Sequence, residues 1–164
     1  MCLILIAYRC HPGYPLLIAA NRDEFHDRPT APLAFWSDAP QILAGRDLQQ
    51  GGTWMGISRS GRFAALTNYR DPSRVLPHAP SRGHLVSDYL QGDQPVEDYL
   101  ARLASQASAY NGFNLLIGDA HGLYCYSNYA GAPQALTPGW HGLSNRLLDT
   151  PWPKLKRGLA LMRR

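Results

Sequence analysis

Residues 2–24, CLILIAYRCHPGYPLLIAANRDE, decide the fold expected of this chain. The apolar run 3–8 predicts a strand, residues 11–15 predict a turn, and residues 16–20 predict the returning strand of a β-hairpin. Because both runs are almost wholly apolar, we expect both strands to be buried on both faces, under helices or a second sheet. The polar run NRDE follows directly, at the point where the second strand leaves the core.

The rest of the chain alternates between further hairpins and a pair of helices. Two more hairpins are predicted, formed by residues 53–58 with 62–68 and by residues 113–118 with 123–127. Helices are predicted over residues 81–90, from about Asp93 and Pro95, and from Pro153 onward. The Pro-, Asp- and Arg-rich residues 25–50 are predicted to be a long ordered loop. This order predicts an α+β fold with antiparallel sheets and segregated helices.

Composition predicts one globular domain spanning residues 1–164. The chain is 45% hydrophobic and 17% charged, with a formal net charge of +4 spread along it, so no nucleic-acid-binding patch is expected. No apolar run approaches the roughly 20 residues that a membrane-spanning helix needs. Three cysteines, Cys2, Cys10 and Cys125, are an odd set for a disulfide framework and favour a reducing, cytoplasmic location. The composition leaves the oligomeric state open.

The second residue carries the chemical hypothesis. Removal of Met1 would leave Cys2 with a thiol and a free α-amine, whose ordinary pKa values are about 8.5 and about 7.7 to 8. The amine would then accept the thiol's proton near neutral pH, so that one residue supplies both nucleophile and base. The alternative is that Cys2 is a small apolar residue at the start of a buried strand.

Hairpin geometry links the NRDE run to Cys2. The end of the second strand returns to the beginning of the first, which places Asp23 near the chain terminus. Asp23 would hold the α-ammonium, and the positive charge of Arg22 would favour the thiolate. The alternative is a solvated turn with one ion pair.

No metal or cofactor site is predicted. Cys10-His11 lacks the further ligands that a structural zinc site requires. Gly51-Gly52 lacks both the preceding strand and the following lysine of a phosphate-binding loop.

Several spaced motifs together resemble one family. Met1-Cys2 and NRDE are followed by GGTW at residues 51–54, TNYR at residues 67–70 and GLSN at residues 142–145. This set, covering residues 2 to about 153, resembles the NRDE family, whose eukaryotic members form the transport and Golgi organisation protein 2 family. The resemblance implies a fold like that of the N-terminal-nucleophile hydrolases, a four-layer αββα sandwich with two antiparallel sheets.

The resemblance to the bile-salt hydrolase and penicillin V acylase branch of that superfamily implies roles for individual residues. Cys2 matches the nucleophile, and Asp23 matches the aspartate that contacts the nucleophile and its amine. Asn68 matches the asparagine whose amide helps to form the oxyanion hole, and Asn145 matches a second asparagine near the site. A preorganised amide of this kind lowers a barrier by roughly 3 to 4 kcal/mol.

The chain departs from that branch in two places. Ala20 stands where the branch has its site arginine, so Arg22 is at best a displaced substitute. Relatives also continue for some tens of residues beyond Arg164, with a further strand that carries another arginine. We therefore expect the C-terminal portion of the fold to be missing here and the second sheet to lack a strand.

Two functions follow from the sequence. The first is an amidohydrolase that cleaves a linear amide or other acyl bond through a thioester on Cys2, without metal or organic cofactor. The second is a non-catalytic binding or trafficking protein that holds a lipid, acyl-CoA or haem in the same pocket, as the family's association with lipid and haem handling suggests. The fold cannot decide between them.

Overall fold

The computed structural model describes residues 2–163, which form two antiparallel sheets and three α-helices. The strands are β1 (Leu3–His11), β2 (Tyr14–Asn21), β3 (Thr30–Phe35), β4 (Ile42–Asp47), β5 (Met55–Ser58), β6 (Phe63–Asn68), β7 (Phe113–Gly118), β8 (Leu123–Ser127), β9 (Gln134–Ala135) and β10 (Gly139–Leu143). The helices are α1 (Gly83–Gln91), α2 (Val96–Gln106) and α3 (Pro153–Met162). The three hairpins and the α+β class predicted from the sequence are confirmed.

Both sheets have strands that begin or end near Cys2. The smaller sheet has the order β10-β1-β2, and the larger one runs from β3 to β9 in chain order. In the smaller sheet Leu3 pairs with Asn21, so the NRDE run begins beside Cys2, as the hairpin argument expected. In the larger sheet Asn68 ends β6 and pairs with Phe113.

Helices α1 and α2 cover one face of the larger sheet. Tyr89 and Leu100 from these helices belong to one buried cluster with Ile42 and Leu115 from the strands. The Tyr89 hydroxyl donates a 3.0 Å hydrogen bond to the Gly118 carbonyl, so this large side chain is buried with its polar atom satisfied.

The opposite face of the larger sheet packs against the smaller one. Ile4 and Ile6 of β1 share a buried cluster with Ala65 and Leu116 of the larger sheet. Because side chains alternate along a strand, Leu5 points the other way, where it lies under α3 near Gly158. The order of packing is therefore α3, smaller sheet, larger sheet, then α1 with α2.

Two expectations about these strands were wrong. Residues 25–50 were predicted to be a loop but contain β3 and β4, which pair with each other and, through β4, with β5. The hairpin was also predicted to be buried on both faces, but β2 is only half-buried to exposed. It is the edge strand of its sheet, and α3 packs on β1 and β10 instead. Strand β10 was not predicted at all.

Within residues 2–163, none of the helices has the length and apolar character needed to cross a membrane.

Candidate functional site

A cavity of about 270 Å³ opens where the ends of β1, β2 and β6 face the start of α1. Its wall contains Cys2, Asp23, Arg22 and Asn68, four of the five site residues predicted from the sequence. The other lining residues are Glu24, Arg28, Asp47, Gln50, Thr53, Trp54, Leu66, Ala79, Pro80, Ser81, Arg82, Gly83 and Asn111. The predicted Asn145 is not part of this wall.

Cys2 is half-buried and held through its backbone. Its carbonyl accepts hydrogen bonds from Ser144 Oγ at 2.8 Å and from Lys154 Nζ at 3.2 Å, while its Sγ lies 4.0 Å from the Asp23 carbonyl oxygen. Burial raises the pKa of the Cys2 thiol, and the nearby positive charges of Arg22 and Lys154 only partly oppose this effect. The thiol is therefore protonated near neutral pH and, without a base beside it, is a weak nucleophile.

Asp23 is oriented by its neighbour in the NRDE run. The Asn21 side-chain amide donates a 2.7 Å hydrogen bond to Asp23 Oδ1. This bond fixes the carboxylate at the end of β2, next to the strand that begins after Cys2. The Asn-x-Asp spacing thus has a structural role whether or not Asp23 takes part in a reaction: it lets the Asn21 amide hold the Asp23 carboxylate.

Asn68 presents an uncommitted amide to the cavity. Its side chain is exposed at the end of β6, and its Nδ2 group has no hydrogen-bond partner among residues 2–163. Its backbone is held firmly, because Asn145 Nδ2 donates a 2.8 Å hydrogen bond to the Asn68 carbonyl. Asn145 therefore positions Asn68 rather than facing the cavity itself.

A buried amide fastens the segment that carries Asn145. The Asn114 side chain is fully buried, and its Nδ2 donates to the carbonyls of Ser144 and Arg146 at 3.2 and 2.9 Å. Thr67 Oγ1 adds a 2.6 Å bond to the same Ser144 carbonyl. These bonds join the ends of β6 and β7 to residues 144–146, so the GLSN motif is tied to the strand that ends in Asn68.

The carboxylates on the floor of the cavity are paired with two of its arginines. Arg28 bonds Asp47 at 2.6 Å and lies 3.9 Å from Glu24, and Arg22 lies 3.6 Å from Glu24. The Arg22 guanidinium also stacks on Trp54, at 4.1 Å from the ring centroid. Burial opposes ionisation of Asp47, but the hydrogen bond and charge of Arg28, together with backbone N–H donors at Gln49 and Gln50, outweigh this and lower its pKa.

Arg82, immediately before α1, is a third arginine in the wall. Its Nη1 donates a 2.7 Å hydrogen bond to the Gly112 carbonyl. Burial lowers the pKa of its guanidinium, whereas the charge of Glu24 acts in the opposite direction.

The GGTW motif explains how Arg82 reaches the cavity. A Cβ atom on Gly52 would lie 2.5 Å from the backbone carbon of Gly83, so only glycine allows α1 to begin this close to the β4–β5 connection. Thr53 N–H donates to the Gly83 carbonyl at 3.3 Å, and His84 Nε2 lies 2.7 Å from the Gln50 carbonyl. The motif therefore holds the N-terminus of α1 at the cavity wall.

Sequence reasoning missed Glu24, Arg28, Asp47 and Arg82 as cavity residues. Asp47 ends a strand that was assigned to a loop, so its approach to Arg28 had no basis in the pattern. The Gly51-Gly52 pair was the one sequence feature that pointed towards Arg82. Adjacent glycines often mark a place where another backbone segment comes close, and here that segment is the start of α1, which follows Arg82.

A second, smaller space also adjoins Cys2. It measures about 50 Å³ and is lined by Cys2 with Ile4, Ala20, Asn21, Arg22, Trp54, Met55 and Leu66. Cys2 is thus part of the walls of both a charged cavity and a small, largely apolar recess.

The other cysteines lie away from this site. Cys10 is exposed on the first hairpin, and Cys125 is buried in β8, where burial raises its pKa to about 12. Among the described residues, no group of three or more His, Cys, Asp or Glu side chains is arranged to hold a metal ion.

Comparison with known proteins identifies the family. The model of the family described as Transport and Golgi organisation 2 matches residues 1–164. The chain belongs to this family. The resemblance predicted from the spaced motifs is therefore confirmed at the level of the family.

Individual family members agree over nearly the whole chain. The mouse Transport and Golgi organization 2 homolog is 42% identical over 174 residues, covering 98% of this chain and 63% of its own length. The human Transport and Golgi organization protein 2 homolog is 43% identical with the same coverage. The Drosophila melanogaster Transport and Golgi organization protein 2 is 30% identical, covering 96% of this chain and 62% of its own length. The chain thus spans less than two thirds of the length of these relatives.

Proposed function

We propose that this family member is an N-terminal cysteine hydrolase that cleaves a linear amide or related acyl bond through a thioester on Cys2. One observation carries the proposal: the Cys2 thiol and the uncommitted side-chain amide of Asn68 line the same cavity. A nucleophile and a donor for the developing oxyanion are the two groups that acyl transfer needs in one place.

The packing order of the elements supports the fold implied by the resemblance. Helix α3, the smaller sheet, the larger sheet and then α1 with α2 follow one another as in an αββα sandwich. In the N-terminal-nucleophile hydrolases this arrangement presents a strand-terminal residue as the nucleophile. Strand β1 begins directly after Cys2.

The proposed reaction begins after Met1 has been removed. Met1 lies outside the described residues, so its removal is part of the proposal. The freed α-amine of Cys2 accepts the thiol proton, the thiolate attacks the substrate carbonyl, and the Asn68 amide donates to the oxyanion. Collapse of the intermediate breaks the C–N bond, and the amine leaves with the proton held by the α-ammonium. Water then attacks the thioester, releasing the carboxylic acid and returning the thiol.

The raised pKa of Cys2 agrees with this role of the amine. A thiol that is mostly protonated at neutral pH is a poor nucleophile unless a base adjoins it. We propose that Asp23 holds the α-ammonium and that Asn145 acts by fixing the Asn68 backbone. Arg22 stacks on Trp54 and partly offsets the effect of burial on the thiol.

The alternative, a carrier of lipid, acyl-CoA or haem, has weaker support. The cavity wall carries three arginines and three carboxylates, and the adjoining apolar recess measures only about 50 Å³. Pockets for apolar ligands are larger and lined mainly by hydrophobic and aromatic side chains. The relatives' names refer to transport and Golgi organisation and name no ligand.

We also propose a cytoplasmic location. Cys2, Cys10 and Cys125 are all free thiols, as is usual in a reducing compartment.

The test is turnover of a panel of small acyl-amides by matched variants. Cys2→Ala should abolish hydrolysis, and Asn68→Ala should lower kcat about 10²- to 10³-fold with little change in KM, because an oxyanion donor acts in the transition state. Cys10→Ala is the control and should leave activity unchanged, since Cys10 lies outside the cavity. Hydrolysis by Cys2→Ala at the parent rate would refute the proposal.

A further inference from the structure

The charges in the cavity are not fully paired. The carboxylates of Glu24 and Asp47 are engaged by Arg22 and Arg28, and Asp23 accepts from Asn21. In the part of the chain that the structure describes, Arg82 has no carboxylate within ion-pair distance.

The Arg82 guanidinium retains donors for a ligand. Only its Nη1 is used, in the bond to the Gly112 carbonyl, and that carbonyl also accepts from the Tyr69 N–H at 3.0 Å. Among residues 2–163, Nε and Nη2 of Arg82 have no hydrogen-bond partner, and neither is sealed from solvent. A partly buried arginine with two free donors matches the two oxygens of a carboxylate.

The start of α1 adds to the positive field at this point. Its first turn contains no acidic residue, its N-terminus has no side-chain cap, and Gly83 is part of the cavity wall. The partial positive charge of the helix end therefore acts in the same direction as Arg82.

We propose that the substrate of this site carries a carboxylate and that Arg82 binds it, which makes Arg82 the residue that determines specificity. The small recess beside Cys2 would take a short acyl group, and the carboxylate would lie in the larger cavity, whose wall contains Arg82. The substrate class is thus a small N-acyl amino acid. This inference rests on the proposed function in one respect, that Cys2 is the reacting group.

The first test compares two alkylating reagents of similar size, iodoacetate and iodoacetamide, on the whole chain. The ratio of their rates at Cys2, measured by peptide mass spectrometry, reports whether an anion is favoured there. Arg82→Gln should lower this ratio about fivefold, as expected for the loss of one charge near a partly buried site. The ratio at Cys10 in the same molecule should not change.

Two matched variants separate charge from structure. Arg82→Lys keeps the charge and should retain most of the preference for iodoacetate. Arg59→Gln is the control, because Arg59 likewise donates one bond to a backbone carbonyl, that of Pro40, but lies in the β5–β6 turn outside the cavity. It should leave the ratios at both cysteines unchanged.

The second test needs no variant. N-acetylalanine should protect Cys2 of the parent protein from iodoacetamide at a concentration about fivefold lower than N-acetylalaninamide does, because only the former carries a carboxylate. Equal protection by the two compounds, or an unchanged labelling ratio in folded Arg82→Gln, would overturn the inference. Neither readout requires turnover. Loss of hydrolysis with a retained carboxylate preference would refute the proposed function alone, and hydrolysis without the carboxylate preference would refute this inference alone.

Discussion

Gly52→Ala is expected to destabilise the protein and to disturb the candidate site together. The added Cβ would lie 2.5 Å from the Gly83 carbon, 2.7 Å from its oxygen and 2.9 Å from the His84 nitrogen. All three are backbone atoms, so no side-chain rotation can relieve the contact. The start of α1 must move away from the β4–β5 connection, and Arg82, the residue before it, moves as well.

The magnitude follows from these contacts. Forcing an extra carbon into a packed site costs typically about 1–3 kcal/mol, and removing a glycine returns about 0.4–1 kcal/mol by restricting the unfolded chain. Because all three contacts are with backbone atoms, the upper end of the first range applies, and we expect a net loss of about 2 kcal/mol in the free energy of unfolding. For a protein of this size that loss lowers the Tm by about 4–8 °C.

Urea and thermal unfolding followed by circular dichroism measure this change. Gly131→Ala is the matched control, because a Cβ at Gly131 meets no atom within 4 Å. It should stay within about 0.5 kcal/mol of the parent. Gly52→Ala should also lose part of the iodoacetate preference at Cys2. Parent-like stability of Gly52→Ala would refute the claim that glycine is required for the approach of α1.

Two further predictions concern the supports of the site. Asn114→Ala should lower the free energy of unfolding by about 2–3 kcal/mol in urea titrations, because a fully buried side chain is truncated and the carbonyls of Ser144 and Arg146 each lose one donor, and a loss below about 1 kcal/mol would contradict the network described. Asp47→Asn tests an effect of pH. The pKa of Asp47 in the folded protein lies below its ordinary value of 3.8. The ionised carboxylate therefore stabilises the folded state above about pH 4, and this stabilisation is lost as the pH falls through the folded pKa. The variant should therefore be less stable than the parent at pH 6 and should lose less stability between pH 6 and pH 3, whereas equal losses in parent and variant would argue against the Arg28 pair.

The hairpins were predictable because their patterns are local. Apolar runs bounded by Pro, Gly and Asn located β1 with β2, β5 with β6 and β7 with β8 to within a few residues. The period of apolar positions likewise placed α2 after Pro95. Pairing of Leu3 with Asn21 then followed from antiparallel geometry, which brought the NRDE run to Cys2.

Strands β3 and β4 were missed because their signals depend on partners. Their residues include Pro32, Gly45 and two charged side chains at the end of β4, which in isolation favour a loop. They become strands because β5 supplies one side of the ladder and because Trp36 and Ile42 are buried against the helices. Tertiary contacts of this kind leave no periodic trace in a single sequence.

The roles of individual site residues were predictable only in part. The motifs identified Asn145 near the site, but they could not show that its side-chain amide donates a hydrogen bond to the Asn68 backbone carbonyl. Arg82 was missed because its approach depends on contact between two distant glycines, Gly52 and Gly83. Function in such a site depends on which donors remain free, and only coordinates reveal that.

The most direct test of the account is an intact-mass measurement on the protein purified from cells, before and after incubation with N-acetylalanine and an acid quench. The account predicts a chain that has lost one methionine, with Cys2 at its terminus, and a fraction of it carrying one acetyl group on Cys2, which the acid quench preserves by keeping the α-amine protonated. Cys2→Ala treated in the same way should carry none. Quantitative retention of Met1 in a preparation that still hydrolyses acyl-amides would contradict the claim that Cys2 is a terminal nucleophile.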